Sequence, residues 1–196
     1  MARRDAASGY IAGQLLVATP AMPDPRFKHT VIYMCLHDED GALGLVLNKA
    51  LASPTPTELF QQLEIDPPTE SDLRFTIWGG PVAPERGFVL HSLDYQRDDT
   101  AAVGGKKLGL TASLEILRDM ARGAGPSKAI LALGHAGWGA GQLDRELQEN
   151  GWFVVPADDA IIFDVDYDGK WNRSLAKLDG KLGKDPGMFS STSGRA

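Results

Sequence analysis

The sequence has one cysteine, no excess of basic residues and no long apolar run, and each of these absences argues against a class of protein. Cys35 is the only cysteine among 196 residues, so the chain forms no internal disulfide and no zinc site built on several thiolates. Its 20 basic residues are outnumbered by 26 acidic ones, which argues against a nucleic-acid surface covering much of the protein. No stretch approaches the roughly 20 apolar residues of a spanning helix, and the first residues lack the apolar core of a signal peptide. These features predict a cytoplasmic protein without a membrane segment.

The composition is that of a soluble globular protein, with 43% hydrophobic and 23% charged residues. A chain of this length suits one core and therefore one domain, residues 1–196. Its two ends, residues 1–12 and 186–196, are predicted to be flexible.

The first half of the chain is predicted to be mainly β-structure. Residues 14–18 form an apolar strand that ends in a proline-rich loop, and residues 30–36 and 43–48 form a hairpin around Asp40-Gly41. A helix is predicted next, with Thr57 as its N-cap. Residues 74–92 then read as strand, glycine-proline corner and strand, which suggests a second, looser hairpin.

The second half alternates between strands and helices. A helix capped by Thr111 precedes a buried strand over residues 127–134, and the next helix is closed by Gly151. Residues 152–156 and 160–163 are further strand candidates, and an amphipathic helix around Trp171 follows. Hairpins first and a β-α-β-α stretch later predict an α+β domain with a mixed sheet.

A glycine-rich stretch, "GHAGWGAG" at residues 134–141, is predicted to be a strand-to-helix turn. Such a turn can bind an anion, but the P-loop pattern fails because Ala140 and Gly141 follow Gly139. The dinucleotide pattern fails too, because Gln142 stands where a third glycine belongs. A tight corner beside Trp138 is therefore favoured over a phosphate site, and no cofactor is predicted.

No metal site is predicted either. Asp164, Asp166, Asp168 and Gly169 match the first half of a calcium loop, but Leu175 stands where the closing bidentate glutamate is needed. The histidines lack the spacing of a metalloprotease helix.

An enzymatic alternative rests on Cys35 and on two histidines, His91 and His135. Cys35 and His37 are two apart on one predicted strand, so they would share a face and could form a reactive pair. A buried, inert Cys35 is the favoured interpretation. His135, at the mouth of the glycine turn, is placed to act as an acid or base, but no catalytic partner is identifiable.

Four ordered blocks, "GQLLVATPAMPDPRFKHTVIYMCLHDEDGALGLVLNKA", "WGGPVAPERGFVLHS", "ALGHAGWGAGQLDREL" and "NGWFVVPADDAIIF", resemble the YqgE/AlgH family of bacterial cytosolic proteins. The resemblance covers residues 13 to about 180. It implies a single α+β domain with a largely antiparallel, twisted and partly split sheet flanked by helices. It also implies a proposed role in transcriptional regulation, and it brings no catalytic residues.

The favoured hypothesis is a regulatory or binding protein that acts through an unidentified small ligand or protein partner, with direct nucleic-acid binding disfavoured. This hypothesis rests on three predicted loops that are rich in glycine, proline and aromatic residues, which would form one recognition surface if they converge. A chaperone-like or assembly role is a third hypothesis, which exposed aromatic patches would support. The predicted ligand-binding residues are Trp78, Gly79, Gly80, Pro81, Arg86, His91, Gly134, His135 and Trp138.

Overall fold

The computed structural model describes residues 10–68 and 76–182, which contain nine strands and five helices. The predicted flexible ends lie outside these residues, apart from residues 10–12. The strands are β1 (Gln14–Ala18), β2 (Val31–Asp38), β3 (Gly41–Val46), β4 (Thr76–Trp78), β5 (Val82–His91), β6 (Ala101–Val103), β7 (Leu108–Thr111), β8 (Ala129–Gly139) and β9 (Trp152–Pro156). The helices are α1 (Pro56–Gln62), α2 (Leu114–Ala121), α3 (Gln142–Gln148), α4 (Asp159–Ile162) and α5 (Lys170–Leu182).

The strands form one mixed sheet in the order β6-β7-β5-β8-β3-β2-β1-β9, with β4 as an extra partner of β8. All of these pairs are antiparallel except β4 with β8, which is parallel. The predicted α+β class with a largely antiparallel sheet is confirmed. The sheet is split, because the first part of β8 pairs with β4 and β5 and its last part pairs with β3.

The glycine-rich stretch is part of β8, so the predicted turn there is wrong. The strand runs through to Gly139, which pairs with Gly41 of β3, and the turn into α3 comes only at Gly141. The chain bends instead at Gly134, whose φ of +71° glycine adopts without strain. A Cβ there would lie 2.4 Å from the carbonyl oxygen of Gly80, so close backbone packing also requires glycine.

One predicted hairpin is confirmed and the other is wrong. β2 and β3 pair around a turn at residues 39–40, with Asp38 opposite Gly41. β4 and β5 do not pair with each other, because β8 lies between them and bonds to both. The residues that β8 pairs with in β4 and β5 lie 38 to 55 positions earlier in the chain, and nothing in the local sequence indicates this insertion.

Two predicted helix caps and one predicted strand are also wrong. The N-cap of α1 is Thr55 and not Thr57, and that of α2 is Ser113, while Thr111 ends β7. Residues 160–163 lie mainly in helix α4, because Asp158 accepts a hydrogen bond from the backbone N–H of Ile161 and starts a helical turn.

The core forms on both faces of the sheet. On one face, α5 packs through its half-buried apolar side chains, Trp171 among them, against a cluster that includes Leu15 and Leu45. On the other face, α3 buries Leu143 against Leu16 and neighbouring strand residues. Each fully buried leucine contributes roughly 1.5–3 kcal/mol. Within the described part of the chain, no helix is both long and apolar enough to cross a membrane.

Candidate functional site

A groove of about 400 Å³ opens where the end of β8, α3 and the start of β9 meet the proline-rich loop after β1. We call it the tryptophan groove. Its volume lies in the range of small-ligand sites. It is lined by Met22, Pro23, Asp24, Arg26, Phe27, Pro81, Gly137, Trp138, Gln142, Glu146, Glu149, Gly151 and Trp152.

Strand alternation places the two tryptophans of the groove. Trp138 shares the α3 side of β8 with Ala136, because side chains two apart in a strand point to the same face. Trp152 begins β9 and lies opposite Ala18 of β1. Both indoles belong to the buried cluster under α3, and Phe27 packs against that cluster from the loop.

Glu146 of α3 holds both indole rings with one carboxylate. Its Oε2 accepts hydrogen bonds from Trp138 Nε1, at 3.0 Å, and from Trp152 Nε1, at 2.9 Å. Its Oε1 accepts a third hydrogen bond from Gln142 Nε2, at 3.0 Å. Hydrogen bonds to a carboxylate are stronger than those between neutral groups, so the ring orientations are well determined.

The aromatic rings meet edge to face. Trp138 and Trp152 have centroids 6.2 Å apart and an interplanar angle of 79°. Phe27 meets Trp152 at 5.7 Å and 71°, and it contacts Trp78 at 6.1 Å. The rings of Phe27, Trp138 and Trp152 therefore stand at steep angles to one another in the wall of the groove.

The charged side chains of the groove are mostly acidic. Arg26 donates to Asp24, with Nη2 2.7 Å from Oδ2, and this hydrogen bond holds the pKa of Asp24 below its usual range. The pair is exposed and adds little to stability. The lining contains three carboxylates, Asp24, Glu146 and the exposed Glu149, and one guanidinium, Arg26. Its net charge is therefore −2.

The structure brings part of the predicted site to this groove. Pro81 and Trp138 line it, and Trp78 contacts Phe27 at its edge. Gly79 and Gly80 are instead packed against β8: the backbone N–H of Gly79 donates to Leu133 O, and a Cβ on Gly79 would lie 2.2 Å from Gly134 O. These two glycines and Gly134 therefore serve close backbone approach.

Arg86 and His135 lie together on the other side of β8. His135 is three positions from Trp138, which places it on the opposite face of the strand. Its ring contacts Phe88 at 5.6 Å, and the Arg86 guanidinium lies over the same Phe88 ring. Desolvation, with a further contribution from Arg86, lowers the pKa of His135, and its buried Nδ1 has no hydrogen-bond partner.

His91 is separate from both groups. It pairs with Ala129, six positions before His135 on β8, or about 20 Å of extended strand. Its ring nitrogens hydrogen-bond to Thr111 Oγ1 and Ser92 O, each at 2.9 Å, and burial lowers its pKa. Residues 79–82 therefore lie beside residues 133–135 of β8, whereas His91 lies at the other end of the β5–β8 pair.

Cys35 is fully buried, and burial raises the pKa of its thiol to about 12. A bulge between Met34 and Leu36 interrupts the alternation of β2. Cys35 consequently belongs to the cluster under α5, while His37 accepts a hydrogen bond from the backbone N–H of Ile11 on the α3 side. The predicted sharing of one face by Cys35 and His37 is wrong.

The aspartates of the calcium-like loop are engaged within the chain. Asp164 and Asp166 both pair with Arg173, and Asp166 Oδ1 accepts from the backbone N–H of Gly169. No group of three or more potential metal ligands occurs among residues 10–68 and 76–182.

A second, more polar cavity of about 410 Å³ lies between the residues before β2, the residues after β3 and the start of α5. Lys28, Lys49 and Asp168 are its charged lining residues, so its charges are mixed. Lys49 Nζ already donates to Arg26 O, at 2.6 Å. Asn48 accepts a hydrogen bond from the backbone N–H of Val31 and donates to His29 O, each at 2.8 Å, so its amide is engaged within the protein.

Of the thirteen lining residues, only Pro81 and Trp138 were predicted, and the missed residues include Phe27, Glu146 and Trp152. The available signals were a tryptophan directly after the helix-closing Gly151 and a glutamate one helical turn after Gln142. Neither signal points to Trp138 without the sheet pairing that brings β8 and β9 to α3.

Comparison with known proteins gives concordant matches. A family model described as "DUF179: AlgH-like" matches residues 15–183. A UPF0301 protein of Methylocella silvestris is 46% identical over 194 residues, which cover 95% of this chain and 92% of that protein. A UPF0301 protein of Rhodospirillum rubrum is 46% identical over 189 residues, which cover 96% of this chain and 95% of that protein.

Two solved structures share the architecture. The solution structure of the AlgH protein from Pseudomonas aeruginosa matches with a TM-score of 0.75 and 34% identity, covering 97% of this chain and 100% of that one. A Corynebacterium diphtheriae crystal structure matches with a TM-score of 0.66 and 23% identity, covering 86% and 87%, which is a likeness of fold alone.

Proposed function

The chain belongs to the AlgH-like family, and from that premise we propose that it is a cytoplasmic regulatory protein that works by binding a small ligand in the tryptophan groove. Any effect on transcription would then be indirect, through a protein partner that responds to the bound ligand. The acidic net charge of −6 supports an indirect route over direct binding to DNA.

One observation carries this proposal: a single carboxylate, Glu146, orients two indoles beside a cavity of about 400 Å³. Ligand sites are typically concave and apolar with a few precisely placed polar groups. The lining contains no serine, cysteine, histidine or lysine, so its carboxylates are its only side chains of a nucleophilic type.

The enzymatic alternative has less support. Cys35 has no solvent access, and both ring nitrogens of His91 are within hydrogen-bonding distance of groups inside the protein. His135 is half-buried, but the groups beside it are Phe88 and Arg86, and Arg86 does not act as a base.

The test uses the indole N–H signals of the four tryptophans in a ¹H–¹⁵N NMR spectrum. A panel of amino acids, nucleotides, polyamines and quaternary amines is added to the full chain. We expect at least one compound to shift the signals of Trp138 and Trp152. Trp171 is the internal control, because its Nε1 donates to Ala18 O on the other face of the sheet.

A matched pair of variants locates the binding. Phe27→Ala removes a wall of the groove and should weaken binding of the active compound at least about tenfold. Tyr10→Ala removes an exposed aromatic ring outside the groove and should leave binding unchanged. Circular dichroism checks that both variants fold. Equal shifts at all four indoles, or no shift with any compound, would count against the proposal.

A further inference from the structure

We infer that the tryptophan groove is selective for a small organic cation whose ammonium group carries alkyl substituents. The inference rests on the proposed function, since it names the chemical class of ligand for the same groove. It is carried by the ring geometry, by the charge of the lining and by the state of the hydrogen-bond acceptors.

The groove is lined by aromatic rings of the kind that attract organic cations. A cation is attracted to the π-face of an aromatic ring, and tryptophan gives the strongest attraction. Trp138 and Trp152 stand at 79° to each other and Phe27 stands at 71° to Trp152, so the groove combines aromatic rings in several orientations. Both indole N–H groups donate to the Glu146 carboxylate, which polarises the rings and strengthens their negative faces.

The net negative charge of the lining also favours a cationic ligand. Asp24, Glu146 and Glu149 outnumber the single cation, Arg26. An anionic ligand would be repelled by this net negative charge and would find only one guanidinium, which already donates three hydrogen bonds to Asp24. A cationic ligand is attracted by the net charge of −2 on the lining residues.

The rings at the edge of the groove already attract cations of the chain itself. The Arg26 guanidinium carbon lies 5.7 Å from the centroid of Phe27, and Lys49 Nζ lies 5.5 Å from that of Trp78. Cation–π contact is therefore an existing feature of this aromatic cluster.

The acceptor groups favour an alkylated ammonium over a bare one. A bare ammonium has three N–H donors and loses its water on burial, so it needs free acceptors. Glu146 already accepts hydrogen bonds from Trp138, Trp152 and Gln142, and Asp24 is held by Arg26. Among the lining carboxylates, this leaves the exposed Glu149 as the acceptor open to a bare ammonium. Alkyl groups on nitrogen remove the need for acceptors while the positive charge remains.

The experiment titrates the full chain with choline and with 3,3-dimethyl-1-butanol, the uncharged molecule of the same shape, and follows the indole signals of Trp138 and Trp152. Ethanolamine is the bare-ammonium comparison. We expect choline to bind at least about tenfold more tightly than either compound. Glu149→Gln should weaken choline binding about twofold to fivefold, whereas Glu39→Gln, at the hairpin tip outside the groove, should not.

The outcomes separate this inference from the proposed function. Equal affinity for choline and its uncharged analogue would leave the groove as a ligand site and overturn the inference. Failure of choline to shift either indole would also overturn it, while a hit elsewhere in the compound panel would retain the proposed function. A trimethyllysine peptide that binds more than tenfold tighter than choline would overturn the assignment to a free small molecule.

Discussion

Glu146 and Cys35 show how far a single residue's behaviour depends on its immediate surroundings. Glu146 belongs to the short helix α3, and its carboxylate accepts hydrogen bonds from two indole N–H groups that are otherwise shielded from water. Cys35, at the bulge in β2, is enclosed by apolar side chains and has a raised pKa. Neighbouring groups, more than residue type, determine what each side chain can do.

The thiol of Cys35 gives a prediction at this scale. Because its pKa is raised to about 12, the neutral thiol persists well above the ordinary titration range near 8.5. In the native protein we expect labelling by an aromatic disulfide reagent to stay slow from pH 7 to pH 9.5. The same reagent should label the protein rapidly in guanidinium chloride. Fast native labelling with a midpoint at or below about 8.5 would restore the enzymatic alternative.

At the scale of elements, local patterns predicted which segments are strands and helices better than they predicted where those segments begin. α1 illustrates the error, because the sequence offers two threonines, Thr55 and Thr57, before the apolar positions. Glu58 decides between them: it stands three residues after Thr55 and completes a capping box with it. The backbone N–H of Glu58 donates to Thr55 Oγ1, and Glu58 Oε2 accepts from the backbone N–H of Thr55.

The two threonines form a matched pair for measurement. Thr55→Ala should lower the free energy of unfolding by about 1 kcal/mol, because it leaves N-terminal helix amides without their acceptor. Thr57→Ala, at an exposed helical position, should leave it unchanged or raise it slightly. Urea unfolding followed by circular dichroism measures both. Equal losses in the two variants would contradict the assignment of Thr55 as the cap.

At the scale of the whole molecule, β8 connects the two parts of the split sheet. Its first residues pair with β4 and β5, and its last residues pair with β3. Gly134, with its φ of +71°, lies where the pairing of β8 changes from β5 to β3, four residues before Trp138. Fold and candidate site therefore depend on the same glycine.

Two glycines of β8 test this dependence. Gly134→Ala should lower the free energy of unfolding by more than about 2 kcal/mol, because φ is +71° and the new Cβ would meet Gly80 O at 2.4 Å. Gly137→Ala should be neutral within about 1 kcal/mol, because its Cβ would have ordinary contacts at 3.7–3.8 Å. Guanidinium unfolding of both variants provides the comparison. A Gly134→Ala variant as stable as Gly137→Ala would refute the bend as the reason for that glycine.

The groove was only partly predictable from sequence. Trp78, Pro81 and Trp138 were predicted, because glycine, proline and aromatic residues mark unusual loops. His91, Arg86 and His135 were predicted beside them and lie elsewhere, since neighbours in sequence on β5 and β8 are distributed along an extended strand and over both of its faces.

The amino-acid sequence by itself determined the class of fold, the β2–β3 hairpin and the amphipathic helix α5, because these follow from contacts between residues close in the chain. Only the tertiary structure decided that β8 lies between β4 and β5 and that Phe27, Trp138, Glu146 and Trp152 surround one groove. Strand pairing across long stretches of chain depends on how all the apolar faces are buried together, and no local pattern specifies it.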